Sequence, residues 1–133
     1  MNEYYQIIFS SKTIAVVGAS PNPSRPSNWI SQYLMQKGYK VIPVNPGHNE
    51  LFGLKCYPDV ASIDEEVDIV NIYRRSDQVV PIVESALQKT SLKLVWMQDN
   101  VYNEAAAQLL IDAGIPVIMN DCISRVHQHL TGT

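Results

Sequence analysis

The sequence is poor in cysteine. Cys56 and Cys122 are its two, far apart, with no CxxC pair and no zinc-ligand spacing. That excludes a disulfide scaffold and agrees with a reducing compartment. Positive charge is also scarce: ten Lys and Arg stand against thirteen Asp and Glu, a formal charge of −3. Nucleic-acid binders cluster cations on one surface, so that class is not expected. No apolar run approaches the length of a membrane span. The opening MNEYYQIIFSSK lacks the basic region and long apolar core of a signal peptide, so the expectation is a cytoplasmic protein away from membranes. Catalytic signatures are missing as well: there is no P-loop lysine, no HExxH and no Ser-His-Asp order. His127 and His129 lie two apart and share no helix face, so metal binding is not expected there.

What is present is an ordinary globular balance. Of 133 residues, 46% are apolar and 17% charged, enough for one domain with one sizeable core, taken as residues 1–133. Short apolar, β-branched runs at 13–18, 40–45, 67–73, 92–98 and 115–120 read as strands. The first, TIAVVG, has the continuous pattern of a strand buried on both faces. Pro43 cannot donate to a ladder and marks a strand end or an unpaired position. Helical spacing covers 27–38, 79–89, 103–114 and 122–130, and a short helix capped by Asn2 leads the chain. Ser27 and Asn103 are candidate caps, Gly38 and Gly114 candidate stops, and Pro81 fits only a first helical turn. Residues 46–59 read as turns. Strands alternating with helices predict an α/β fold: a single doubly wound, mostly parallel five-stranded sheet, Rossmann-like, in the order 3-2-1-4-5. Ligands of such sheets bind where the winding reverses, here between strands one and four.

The loop after strand one lies at that crevice. A dinucleotide fingerprint would read G-x-G-x-x-G, but here the three positions are Gly18, Ser20 and Pro23. One glycine still permits the tight turn. Ser20 and Ser24 add hydroxyls, and Arg25 sits just before a helix N-terminus, where it can pair two phosphate oxygens. Strand two ends in VNPGHN, with no carboxylate until Glu50. An NAD site places Asp or Glu there for the ribose hydroxyls. A site without one suits a ribose carrying a phosphate, as in NADP or coenzyme A. The missing second glycine, and the lack of a substrate domain, count against an NADP-linked oxidoreductase.

The segments VGASPNPSRPS (17–27), GYKVIPVNP (38–46), GLKCYPDVASI (53–63), VDIVNIYRRS (67–76), VWMQ (95–98), NEAA (103–106) and DC (121–122) together resemble one family. These are the small stand-alone CoA-binding proteins, Rossmann-like domains similar to the CoA-binding domain of the succinyl-CoA synthetase alpha chain. The resemblance covers nearly the whole chain. It implies a ligand, coenzyme A or an acyl-CoA, and no reaction. The diphosphate would lie over Gly18, Ala19, Ser20, Asn22, Ser24, Arg25, Pro26 and Ser27, and the adenosine near Asn45, Pro46 and His48. Three departures stand out. Gly47 replaces a basic residue, leaving His48 or Lys55 to meet the 3′-phosphate. Asn100 replaces a glycine, although Asn tolerates a left-handed backbone. MND before Cys122 lacks an arginine common in relatives.

Other candidates sit at strand ends. One of Arg74 and Arg75 is expected to face the crevice and the other to be solvated. Gln98 could bind the pantetheine amides. Trp96 reads as a core aromatic. Cys122 is expected to pack in the core, with a disulfide to the ligand's own thiol as the alternative. Asp99 and Asp121 offer no mechanism without a base, a nucleophile and an oxyanion site. The expectation is therefore a binding module, serving as sensor, carrier or regulatory subunit without catalysis of its own. A homodimer or a partner subunit is compatible with it. The enzymatic alternative is a fragment of an acyl-CoA ligase or transferase that needs a partner chain.

Overall fold

The computed structural model describes residues 2–132. Five parallel strands form the sheet: β1 (Thr13–Val17), β2 (Lys40–Val44), β5 (Ile69–Ile72), β6 (Leu94–Met97) and β7 (Val117–Ile118). Helices α1 (Pro26–Gln36), α2 (Val79–Ala86), α3 (Glu104–Asp112) and α4 (Ile123–Thr131) cover it. The leading segment Glu3–Ser10 is a 3-10 helix, with Asn2 accepting from the Tyr4 N–H as its cap. Residues 46–59, expected to be rich in turns, contain a small hairpin. Its strands β3 (Glu50–Leu51) and β4 (Leu54–Lys55) pair antiparallel around Phe52 and Gly53, both at positive φ. Two consecutive left-handed residues make the turn whose twist suits a two-residue hairpin.

The sheet runs β2-β1-β5-β6-β7. The expected doubly wound parallel fold is present, with one reassignment inside it. The strand at 67–73 is not the third of the winding; it pairs with β1 on the side opposite β2. The third position is held by a rudiment, a single parallel bridge between Val44 and Tyr57. Tyr57 N–H donates to the Pro43 carbonyl at 3.1 Å, and Asn45 N–H donates to Tyr57 O at 2.9 Å. With that bridge counted, the order is 3-2-1 followed by 4-5-6, and the winding reverses between β1 and β5. Pro43 is tolerated because its missing N–H falls on this sparsely paired outer edge.

Period-two alternation splits the core. Ala15, Val17, Val70, Ile72, Val95 and Met97 meet Val79, Val83, Ala106 and Leu110 on one face. Ile14, Val16, Ile69, Leu94 and Trp96 meet Ile8, Ile30, Leu34 and Ile123 on the other. Trp96 is fully buried as expected, stacked on Tyr5 and donating Nε1–H to Asp121 O at 2.9 Å. Asn103 caps α3 through the Ala106 N–H. Ser27 does not cap α1. Pro26 takes the first helical position, which makes Arg25 the capping residue, with no side-chain bond of its own. Ser27 lies buried inside the first turn instead.

His127 is buried under the leading segment, its Nδ1 2.6 Å from the Tyr33 hydroxyl. Burial, helped by the Lys37 charge, holds its pKa below the ordinary value. The unfolded chain therefore takes up a proton near pH 6.5 that the folded chain resists. This contribution to stability is present at neutral pH and is lost as pH falls through that value. Urea unfolding should show the midpoint dropping between pH 7 and pH 5.5. A His127→Asn variant should be less stable at pH 7 and show a flatter dependence. An unchanged slope would assign the dependence to another group.

Candidate functional site

Strands β1, β5 and β6 end on one rim, stitched by Gly18 N to Val44 O, Tyr73 N to Val17 O and Gln98 N to Ile72 O. The chain leaves β1 at Gly18 with φ +89°. A Cβ there would stand 2.7 Å from Tyr73 O and 3.0 Å from Arg74 Cδ. Glycine is thus required both by the turn and by the close approach of β5.

Short side chains fold the loop back on itself. Ser20 Oγ accepts from the Asn22 N–H, and Asn22 Oδ1 accepts from both the N–H and the hydroxyl of Ser24. Asn28 and Asn45 clamp it from either side by donating to Ser20 O and Ala19 O, at 2.9 and 2.8 Å. These bonds leave the backbone N–H groups of Ala19, Ser20 and Ser27 without a partner among the described residues. All three residues line one cavity at the N-terminus of α1, whose first turn holds no acidic side chain. Free N–H groups at a helix N-terminus form a concavity for anions.

That cavity encloses about 650 Å³. Gly18, Ala19, Ser20, Arg25, Pro26 and Ser27 form one wall, Asn45 and Arg74 adjoin it, and Gln98 lies opposite. Gln98 is 4% exposed. Its Oε1 accepts from Asn71 Nδ2 and from the Ile123 N–H, which fixes the amide and leaves Nε2 unpaired among the described residues. A second cavity of about 450 Å³ opens on the α2 side of the rim, lined by Val44, Pro46, Pro58, Val60, Pro81 and Ile82. Gly18 and Arg74 belong to both.

The expected site residues therefore divide. Arg74 is half-buried, has no ion pair among the described residues and stands between the two cavities. Arg75 is solvated and lies 3.4 Å from Asp77. Asn22 and Ser24 line neither cavity and act on the loop from within. His48 and Lys55 also line neither. Lys55 lies over the Tyr57 ring at 4.8 Å. Asn100 adopts the left-handed backbone expected of it, at φ +68°.

Sequence reasoning passed over several wall residues. Tyr73 follows the period-two rule from Asn71 toward the first cavity; its hydroxyl is buried without a partner among the described residues, and burial drives its pKa upward. Trp29, half exposed, lines the same cavity. Cys122, which the sequence did single out, is buried in the core as expected and also lines that cavity, as the capping residue of α4. Arg125 grips Asp99 through both carboxylate oxygens, at 2.9 and 3.0 Å, and reaches Asp121 at 3.0 Å. Its guanidinium holds the Asp99 carboxyl below the usual carboxylate range. Tyr5 hydrogen-bonds Asp121 from the leading segment, a bond that raises its phenol to about 12.

Comparison with known proteins follows the same outline. The family model described as "CoA binding domain" matches residues 12–128. The uncharacterized protein YneT of Bacillus subtilis is 41% identical over 125 residues, 94% of this chain and 92% of that one. A hypothetical protein from Pyrococcus horikoshii OT3 superposes with a TM-score of 0.92 at 39% identity, over 96% of this chain and 89% of that one. The ADP-forming acetate–CoA ligase II of Archaeoglobus fulgidus is 36% identical over 84 residues. That match takes in 62% of this chain and only 12% of the ligase.

Gly18→Ala tests the rim. It combines a left-handed backbone, about 1–2 kcal/mol for a non-glycine residue, with a backbone clash. Urea unfolding should show a loss of about 2 kcal/mol or more. A loss below about 0.5 kcal/mol would mean that the close approach of β5 is not a constraint.

Proposed function

The chain belongs to the CoA-binding domain family, and from that premise we propose that it binds coenzyme A or an acyl-CoA in a site that spans both cavities. The observation that carries this reading is the set of unpaired N–H groups at Ala19, Ser20 and Ser27, flanked by Arg25 and Arg74. A diphosphate supplies the acceptors this wall lacks, and charge-assisted bonds to it are the strong ones. The second cavity, with its proline and aliphatic walls, suits the flat face of adenine. The first cavity takes the pantetheine arm, whose amides meet the free Nε2 of Gln98 and the hydroxyl of Tyr73.

The charged groups at the rim are assigned no catalytic role. Arg125, Asp99 and Asp121 satisfy one another at the rim. The role that fits is a cytoplasmic sensor, carrier or regulatory module responding to CoA. The ligase relatives favour a second reading, in which this chain supplies the CoA site to a partner subunit. Activity that appears only on adding a partner chain would distinguish the two.

Calorimetry with CoA should give a dissociation constant in the micromolar range or tighter. Arg74→Ala should weaken it by about tenfold or more, the cost of one hydrogen bond to a charged group. Arg75→Ala should stay within about twofold. With neither His48 nor Lys55 on the cavity wall, 3′-dephospho-CoA should bind within about threefold of CoA. Absence of CoA binding, with NADP bound instead, would overturn the reading.

A further inference from the structure

We propose that Cys122 captures the ligand covalently by thiol–disulfide exchange, so that the site becomes a trap for oxidised coenzyme A. The inference rests on the CoA reading above and deepens it. Three observations meet at one place. Cys122 lines the first cavity, at the end remote from β2, together with Tyr73, Gln98 and Arg125. It is the capping residue of the nine-residue α4, with Sγ 3.2 Å from Ser124 Oγ. Beside it the cavity wall holds polar groups that the protein leaves unsatisfied: the buried Tyr73 hydroxyl, and Nε2 of the 4%-exposed Gln98. A buried hydroxyl without a partner is uncommon and costly. Here Tyr73 and Gln98 share with the sulfur the cavity in which an arm with two amides and a terminal thiol would lie.

The chemistry balances without an external oxidant. The Cys122 thiolate attacks one sulfur of a disulfide formed by two CoA molecules. A bond forms between Cys122 Sγ and that sulfur, the original S–S bond breaks, and the second CoA leaves as a thiolate. The proton released by Cys122 returns to that leaving group. One disulfide is exchanged for another, with no net oxidation. The adenosine and diphosphate contacts hold the incoming disulfide in place, so the reaction is selective for CoA over other disulfides. Cys56 is the internal control. It is buried, its Sγ faces Asn45 O at 3.5 Å, burial pushes its thiol pKa up, and it lines neither cavity.

The test uses the full reduced chain and CoA disulfide as the probe, followed by intact mass and peptide mapping. Expected is a single adduct, one CoA less two hydrogens, on Cys122. It should form at least about tenfold faster than the adduct from glutathione disulfide at equal concentration. Cys56→Ser should keep the adduct and Cys122→Ser should abolish it. Thermal unfolding should show Cys122→Ser folded. An adduct on Cys56, or equal rates with the two disulfides, would overturn the proposal. So would no adduct on a chain that binds CoA normally, and that outcome leaves the binding reading intact. A chain that binds no CoA in calorimetry would overturn the binding reading itself.

Discussion

The close passage of Gly18 against the end of β5 is the contact on which the site depends. With 2.7 Å between the place of a Cβ and Tyr73 O, two parallel strands finish side by side with no side chain between them. Everything functional hangs from that seam. It turns the loop toward α1, sets Tyr73 against one cavity and aims Arg74 along the border of both. A bulkier residue would part the strands at the point where the winding reverses, and a parallel sheet has its crevice only there.

In the proposed reading, the loop beyond Gly18 receives a diphosphate without the other glycines of a dinucleotide fingerprint. Asn22, Ser24, Asn28 and Asn45 spend their hydrogen bonds on the loop's own carbonyls, hydroxyls and N–H groups. This fixes the backbone so that its remaining donors face outward together. Preorganisation replaces flexibility: the donors need no reordering when an anion arrives, and the ordering cost is met during folding. Three of these four, Asn22, Ser24 and Asn28, do not line the cavity and act on it only through the loop.

How far the sequence could be read follows from range. Strands at 13–18, 67–73 and 92–98 announce themselves because burial on both faces demands unbroken apolar runs. The Gly18 loop and the Asn103 cap are local as well. The order of the strands was legible only as a pattern. Which segment takes the third place turns on one bridge at Tyr57, a contact too small to leave a run of its own. The hairpin at Glu50–Lys55 escaped for the same reason, having two residues per strand. The choice between Arg74 and Arg75 needed the direction of the chain after β5. The second cavity needed Val44, Val60 and Ile82 brought together from three separate segments, which only the tertiary fold supplies.

The shared wall between the cavities has a consequence for affinity. Gly18 and Arg74 border both, so a ligand long enough to fill the two cannot bind them as separate events. Once one end is seated, the other is confined near its own cavity at an effective concentration set by the link between them. The halves of such a ligand, offered apart, face the full entropic cost twice and lose the common guanidinium to whichever arrives first. For the proposed CoA ligand this means that an intact chain from base to thiol is held more tightly than its separate fragments.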